Sequence, residues 1–219
     1  MEAFFILALM LFTSLCLLAG LYILFWLFPF NRSLQTKPNK NKTFPPVSII
    51  ICSRNAVVHL RKNLNSFLQQ EYPEYEIIIV DDDSEDDTHA FITALQDTNP
   101  KLIYCRNLKT RDGKKQALEV GISMAKYSWI ALSDVDCKPI SENWLHQMMG
   151  NRKSEDSIVL GYAPYNKSKG ILNAFIRFET LMNAIQYLTS AINGLAYMGT
   201  GRNLVYHKSI YDQSAIKPE

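Results

Sequence analysis

From Ala3 to Phe30 the chain runs for 28 residues without a charged side chain. Of its 44 Lys, Arg, Asp and Glu residues, only Glu2 precedes Arg32. As an α-helix such a run extends roughly 42 Å, against a hydrocarbon core of about 30 Å. It can therefore cross a bilayer with tilt, and Tyr22 and Trp26 suit an interfacial belt near its end. A cleaved signal peptide needs a basic start, a shorter apolar stretch and a small-residue cleavage site. Here the start is Met1-Glu2 and the end is the bulky Leu27-Phe28-Pro29-Phe30. A buried core helix is the other alternative, but it seldom goes so long without charge. The expectation is one transmembrane helix over 3–30.

The flanks orient it. Arg32, Lys37, Lys40 and Lys42 follow the run, and no acid appears until Glu71. The positive-inside bias then puts the N-terminus outside and the bulk of the chain in the cytoplasm, a single-pass protein of the cell (inner) membrane. Four cysteines with no C-x-x-C pair fit a reducing compartment and indicate neither a zinc site nor a disulfide framework. A formal net charge of +2 argues against a nucleic-acid binder. Residues 31–46, polar, basic and proline-punctuated, read as a juxtamembrane linker.

From Val47 the pattern alternates. Apolar β-rich runs at 47–52, 76–80, 102–104 and 129–132 read as strands, and helical spacing is found over 60–68, 88–97 and 114–126. This predicts an α/β domain over 47–219, a mostly parallel sheet covered by helices on both faces. Ligands of such sheets bind beyond the carboxyl ends of the strands. The residues at those ends are Ser53-Arg54-Asn55, the acidic stretch Asp81 to Asp87, and Asp134-Val135-Asp136.

Asp134 and Asp136 are one residue apart, which in extended chain puts both carboxylates on one side. Paired carboxylates at a strand end suit Mg²⁺ or Mn²⁺. The alternative is an acidic turn capping the next helix. In the stretch 81–87, Glu85, Asp86 and Asp87 read as caps for the helix from Thr88, whereas Asp81 and Asp82 emerge directly from the strand. An EF-hand fails, because Asp86 stands where Gly is needed and Ile92 where Glu is needed. Gly113-Lys114-Lys115 lacks the rest of a P-loop, and Gly199-Thr200-Gly201 lacks a third glycine and a preceding strand. The scattered histidines read as surface or helix residues. Residues 170–190 carry apolar side chains at near-helical spacing, either as a core-packing helix or as an amphipathic helix resting on the bilayer.

Four segments together resemble glycosyltransferase family 2, and within it the membrane-anchored bacterial branch. They are VSIIICSRN (47–55), YEIIIVDDDSEDDT (75–88), GKKQALEVGI (113–122) with YSWIALSDVDCKP (127–139), and YMGTGRNLVYHKS (197–209). The resemblance implies the GT-A fold, a Rossmann-like arrangement that binds nucleotide-diphosphate sugars. It implies that Asp82 contacts the base, that Lys114 lies near the nucleotide, that Asp134 contacts the ribose or sugar, and that Asp136 holds the metal. Ser53, Asn55 and Asp81 join the candidate nucleotide-sugar site, and Asp134 joins Asp136 as a candidate metal ligand.

Family members usually continue to an acidic motif that supplies the general base, whereas these residues end at Glu219. The expectation is a C-terminally incomplete domain whose general base is unknown, with Glu179 the first suspect within the chain. The leading expectation is a metal-dependent inverting transferase using a nucleotide-sugar donor, a UDP-sugar by preference. It would act at the cytoplasmic membrane face on a lipid-linked or polysaccharide acceptor. The alternative is a non-catalytic nucleotide-sugar-binding remnant or partner subunit.

Overall fold

The computed structural model describes residues 1–27, 43–108, 110 and 113–213, which divide into two compact units. The larger unit is built on a six-stranded sheet. In chain order its elements are β1 (Val47–Ser53), α2 (Val57–Leu68), β2 (Tyr75–Asp81), α3 (Thr88–Gln96) and β3 (Leu102–Arg106). Then come α4 (Lys115–Met124), β4 (Trp129–Asp134), α5 (Trp144–Gly150), β5 (Val159–Leu160), β6 (Asn203–His207) and α7 (Lys208–Gln213). The strand order is β3-β2-β1-β4-β6-β5, parallel from β3 to β4 and antiparallel at β4–β6 and β6–β5.

β1 and β2 are buried along their whole length, which is why they read as unbroken apolar runs rather than alternating ones. Alternate residues feed two separate cores. Ile49, Ile51, Ile77 and Ile79 face Leu60, Leu64 and Phe67 of α2, Ile92 of α3 and Leu145 of α5. Ile50, Cys52, Ile78 and Val80 face Ala117 and Ile122 of α4, with Ile210 and Tyr211 of α7 at the margin. Each such aliphatic side chain contributes about 1.5–3 kcal/mol on burial. Gly121 lets α4 lie close to the sheet, since a Cβ there would come within 2.6 Å of Ile50 Cγ2. The expected parallel sheet with helices on both faces is present. The sheet's opposite edge is tied by buried Glu76, whose carboxylate accepts from Ser48 Oγ and from Lys126 N at 2.7 Å.

The boundaries differ from expectation in several places. β3 runs to Arg106, because its ladder to β2 continues as far as Asp81 opposite Arg106. α5, β5, β6 and α7 were not expected. β5 is two residues long, and β6 gains its conformation by antiparallel pairing with β4. His207, expected as a surface or helix residue, stands half-buried in β6. The domain starts before Val47, since Tyr72 Oη donates to Pro45 O at 2.6 Å and the Phe44 ring stands edge-on to Tyr72. The rest of the expected linker, with Arg32, Lys37, Lys40 and Lys42, lies outside the described residues, as do Phe28, Pro29 and Phe30.

The smaller unit contains α1 (Glu2–Tyr22), a π-helical turn (Ile23–Leu27) and α6 (Ile171–Ile192). The segment Glu2–Trp26 is long and apolar enough to cross a membrane, with none of its most apolar stretch buried in protein. α6 packs on the π turn, where Thr189 Oγ1 donates to Trp26 O at 2.8 Å. Its C-terminal half is buried, with Ala184, Ile185, Tyr187, Thr189 and Ser190 enclosed. The core-packing reading therefore holds for that half only. Ile171, Leu172, Phe175 and Phe178 of the first half are exposed.

Candidate active site

Strand order reverses at β1, which leads to β2 and β3 on one side while β4 flanks it on the other. A crevice forms beyond the carboxyl ends of strands at such a reversal. The residues that end there are Ser53, Asp81 and Asp134, from three adjacent strands.

The loop after β2 is locked to the loop after β1. Asp82 N donates to Ser53 O at 2.8 Å. Asn55 is in the left-handed region (φ 48), its N–H donates to Ser84 Oγ at 2.9 Å, and its side-chain oxygen accepts from Glu85 N at 2.8 Å. Asn55 thus acts here as a clip between the two loops. Asp86 caps two helices, accepting from Val57 N at the start of α2 and from Thr88 N at the start of α3. Capping was expected of Glu85, Asp86 and Asp87 together. Asp87 occupies the N-cap position but makes no side-chain cap bond.

Asp81 is fully buried, with Oδ1 accepting from Ser84 N at 3.0 Å and Oδ2 accepting from Tyr104 Oη at 2.7 Å. Both oxygens are engaged within the chain, so in this conformation Asp81 frames the loop. Burial and then the bond to Asp81 raise the Tyr104 phenol above its usual range. Tyr104→Phe leaves a buried carboxylate oxygen unpaired and is expected to destabilise the domain by about 1–3 kcal/mol. Chemical denaturation of wild type and variant under matched conditions checks this, and an unchanged midpoint would contradict it.

Asp82 is 6% exposed, and its Oδ1 accepts from Asn107 Nδ2 at 2.6 Å. Asn107 N in turn donates to Asp81 O at 2.8 Å. Asn107 is therefore fixed at both ends and fixes the Asp82 carboxylate. Sequence reasoning missed it, because the third strand was ended at Tyr104. Ended at Arg106, the rule of reading the residues after each strand finds Asn107 first.

Gly113 (φ 91) turns the chain into α4 and sets Lys114 at the helix start, where its ammonium pairs with Asp134 Oδ1. The buried Cys52 thiol registers the whole group. Burial pushes it up to about 11, Lys114 opposes this, and Asp82 and Asp134 add to it. Lys114 pairs with Asp134, Asp134 stands opposite Cys52 in the sheet and Asp82 N bonds to Ser53 O, so the three share the end of β1. The hydroxyl of Ser53, 2% exposed, is buried there without a hydrogen-bond partner.

Asp136 does not continue the strand. β4 ends at Asp134, and Cys137 N donates back to Asp134 O at 3.0 Å, closing a turn through Val135 and Asp136. The same-side argument for extended chain thus fails, and the turn sets the position of Asp136. Asp136 is exposed and accepts a weak bond from Cys137 Sγ at 3.5 Å. The Cys137 thiol is pushed up to about 11 by burial, then by Asp136 and Asp134, with the Arg202 guanidinium opposing. Arg202 therefore lies in the field of this turn. Its neighbour Asn203 is clamped, accepting from Trp144 Nε1 at 3.0 Å and donating to Tyr162 O at 3.1 Å. A Cβ at Gly161 would collide with the Asn203 side chain.

Carboxylate oxygens are donors that a hard divalent cation takes. Asp134 and Asp136 offer oxygen only, and no group of three or more His, Cys, Asp or Glu suited to a metal occurs among the described residues. Mg²⁺ in phosphate-handling sites is held by one or two carboxylates, with other positions open to phosphate oxygens. Glu179 lies exposed on α6, in the smaller unit.

Comparison with known proteins places these features in a family. The model of "Glycosyl transferase family 2" matches residues 48–214. A poly-beta-1,6-N-acetyl-D-glucosamine synthase of Staphylococcus epidermidis is 34% identical over 109 residues, covering 49% of this chain and 26% of that protein. The glycosyltransferase GlyG of Streptococcus pneumoniae is 30% identical over 128 residues, covering 57% of this chain and 41% of that protein. The chain thus spans less than half the length of either relative. Among solved structures, the mannosyltransferase PcManGT of Pyrobaculum calidifontis, in complex with GDP-Man and Mn²⁺, aligns with a TM-score of 0.62. It is 16% identical, covering 91% of this chain and 56% of that one, so the likeness is one of fold. With a family model matched across both acidic strand ends and the GRN segment, the chain belongs to glycosyltransferase family 2.

Proposed function

We propose that the chain binds a nucleotide-diphosphate sugar at the end of β1 and serves an inverting, divalent-metal-dependent glycosyl transfer. The acceptor is a growing polysaccharide or a lipid-linked glycan at the cytoplasmic face of the membrane. The observation that carries this reading is the convergence of Asp82, Lys114 and Asp134 at the end of β1, where the strand order reverses. A site for a base, a diphosphate and a sugar needs an acceptor group, positive charge and further carboxylates side by side. These residues supply them.

Each side chain has a distinct task in this reading. Asp82, oriented by Asn107, accepts a hydrogen bond from the base. The buried, unpartnered hydroxyl of Ser53 is available to the ligand at the same strand end. Asn55 and Asp81 hold the loops that form that edge. Lys114 presents positive charge toward the diphosphate and shares it with Asp134. Asp134 and Asp136 would hold Mg²⁺ or Mn²⁺, which when bound opposes the negative charge that grows on the leaving diphosphate. The preorganised ammonium of Lys114 acts in the same direction. The membrane location rests on the apolar segment Glu2–Trp26 and the basic residues that follow it in sequence. The polysaccharide acceptor is suggested by the synthase among the relatives.

The test is transfer of radiolabel from UDP-sugars, UDP-N-acetylglucosamine first, by membranes carrying the protein. Incorporation into polymer or lipid extract should require Mn²⁺ or Mg²⁺ and stop with EDTA. Undiminished transfer in EDTA would contradict the metal assignment, and the anomeric configuration of the product tests inversion.

A further inference from the structure

We propose that the first half of α6 is a second membrane contact, lying in the interfacial layer of the bilayer that α1 crosses. The proposal rests on reading α1 as a span. Ile171, Phe175, Phe178, Met182 and Ile185 recur at spacings of four and three residues, which align on one helix face. Thr189 continues the same face, and its hydroxyl is bonded to the carbonyl of Trp26. One stripe therefore has two fates. At its C-terminal end Ile185 is 7% exposed, whereas at its N-terminal end Ile171 is 89% and Phe175 and Phe178 are each 59% exposed.

The concentration is unusual. After the π turn, fifteen large apolar side chains are exposed among the described residues, and ten of them fall between Tyr165 and Met198. Bare apolar surface gathered in this way marks a partner or a membrane.

Continuity identifies the occupant. The covered end of the stripe meets the turn where the apolar segment ends. α1 has no buried residue, and α6 packs on the π turn rather than along α1. A helix held at the end of a span, and not packed along it, has the bilayer interface beside it. The composition fits such a helix. Asn173, Arg177, Thr180 and Asn183 lie off the apolar stripe, and Lys167 and Lys169 precede the helix, suited to anionic headgroups.

The test uses the full chain in vesicles of phosphatidylcholine and phosphatidylglycerol, with benzoylphenylalanine placed singly at Phe175, Phe178, Asn173 and Phe12. After irradiation, mass spectrometry should find lipid adducts at Phe175 and Phe178 comparable to those at Phe12 in α1. Asn173 should give at least fivefold less. If Phe12 labels lipid while Phe175 and Phe178 do not, the α6 contact is overturned and the span stands. Cross-linking of those two positions to a second copy of the chain overturns it equally. Absence of lipid adducts at Phe12 removes the span and the proposal with it.

Discussion

Asp136→Ala should abolish divalent-cation binding in the presence of nucleotide while leaving the fold unchanged. Asp136 is exposed, stands in a turn rather than in the sheet, and makes only the weak bond from Cys137 among the contacts described above. Surface positions of this kind usually change stability by no more than about 0.5 kcal/mol. Asp134 cannot compensate alone, because one of its oxygens is already paired with Lys114. Transfer should fall by roughly 10²–10³-fold, the scale seen when one preorganised group that opposes transition-state charge is removed. The spin-resonance signal of free Mn²⁺ reads bound metal directly. Equal Mn²⁺ uptake by variant and wild type in the presence of UDP would remove Asp136 from the metal site.

Asp82→Ala should weaken nucleotide binding even in EDTA, because the proposed partner of Asp82 is the base and not the diphosphate. A hydrogen bond to a charged group contributes about 1.5–3 kcal/mol, or roughly 10- to 150-fold in affinity. Asn107→Ala should produce a smaller loss of the same kind, since it frees the carboxylate to rotate without removing it. Calorimetric titration with UDP in EDTA separates the two roles. A loss seen only when metal is present would assign Asp82 to the cation instead.

The part of the site legible in the sequence was the part whose backbone is buried on both faces. β1, β2 and β4 must be apolar throughout, so their ends stand out, and Ser53, Asp81, Asp82 and Asp134 follow from them. β3 hides its end because it is an edge strand, where Cys105 and Arg106 need not be buried. Asn107 was missed for that reason alone. β6 was hidden differently. Its five residues read as a strand only once β4 offers an antiparallel partner, a long-range pairing that no local pattern records. Asp136 was singled out by its place just after β4, but with the wrong geometry, since the hydrogen bond from Cys137 N to Asp134 O bends the chain just where extended spacing was assumed. The stripe on α6 was legible as a helix. Its division into a covered and a bare half depends on Trp26, 163 residues away from Thr189.

The central claim is that the end of β1 is a metal-dependent nucleotide-diphosphate site. Its most direct test is the equilibrium binding of UDP to the full wild-type chain in lipid nanodiscs, with Mn²⁺ and then with EDTA. The expected result is one UDP bound per chain, with affinity falling at least tenfold on removal of Mn²⁺ and a residual metal-independent part that disappears in Asp82→Ala. No binding of UDP or any other nucleoside diphosphate, or equal affinity with and without metal, would contradict it.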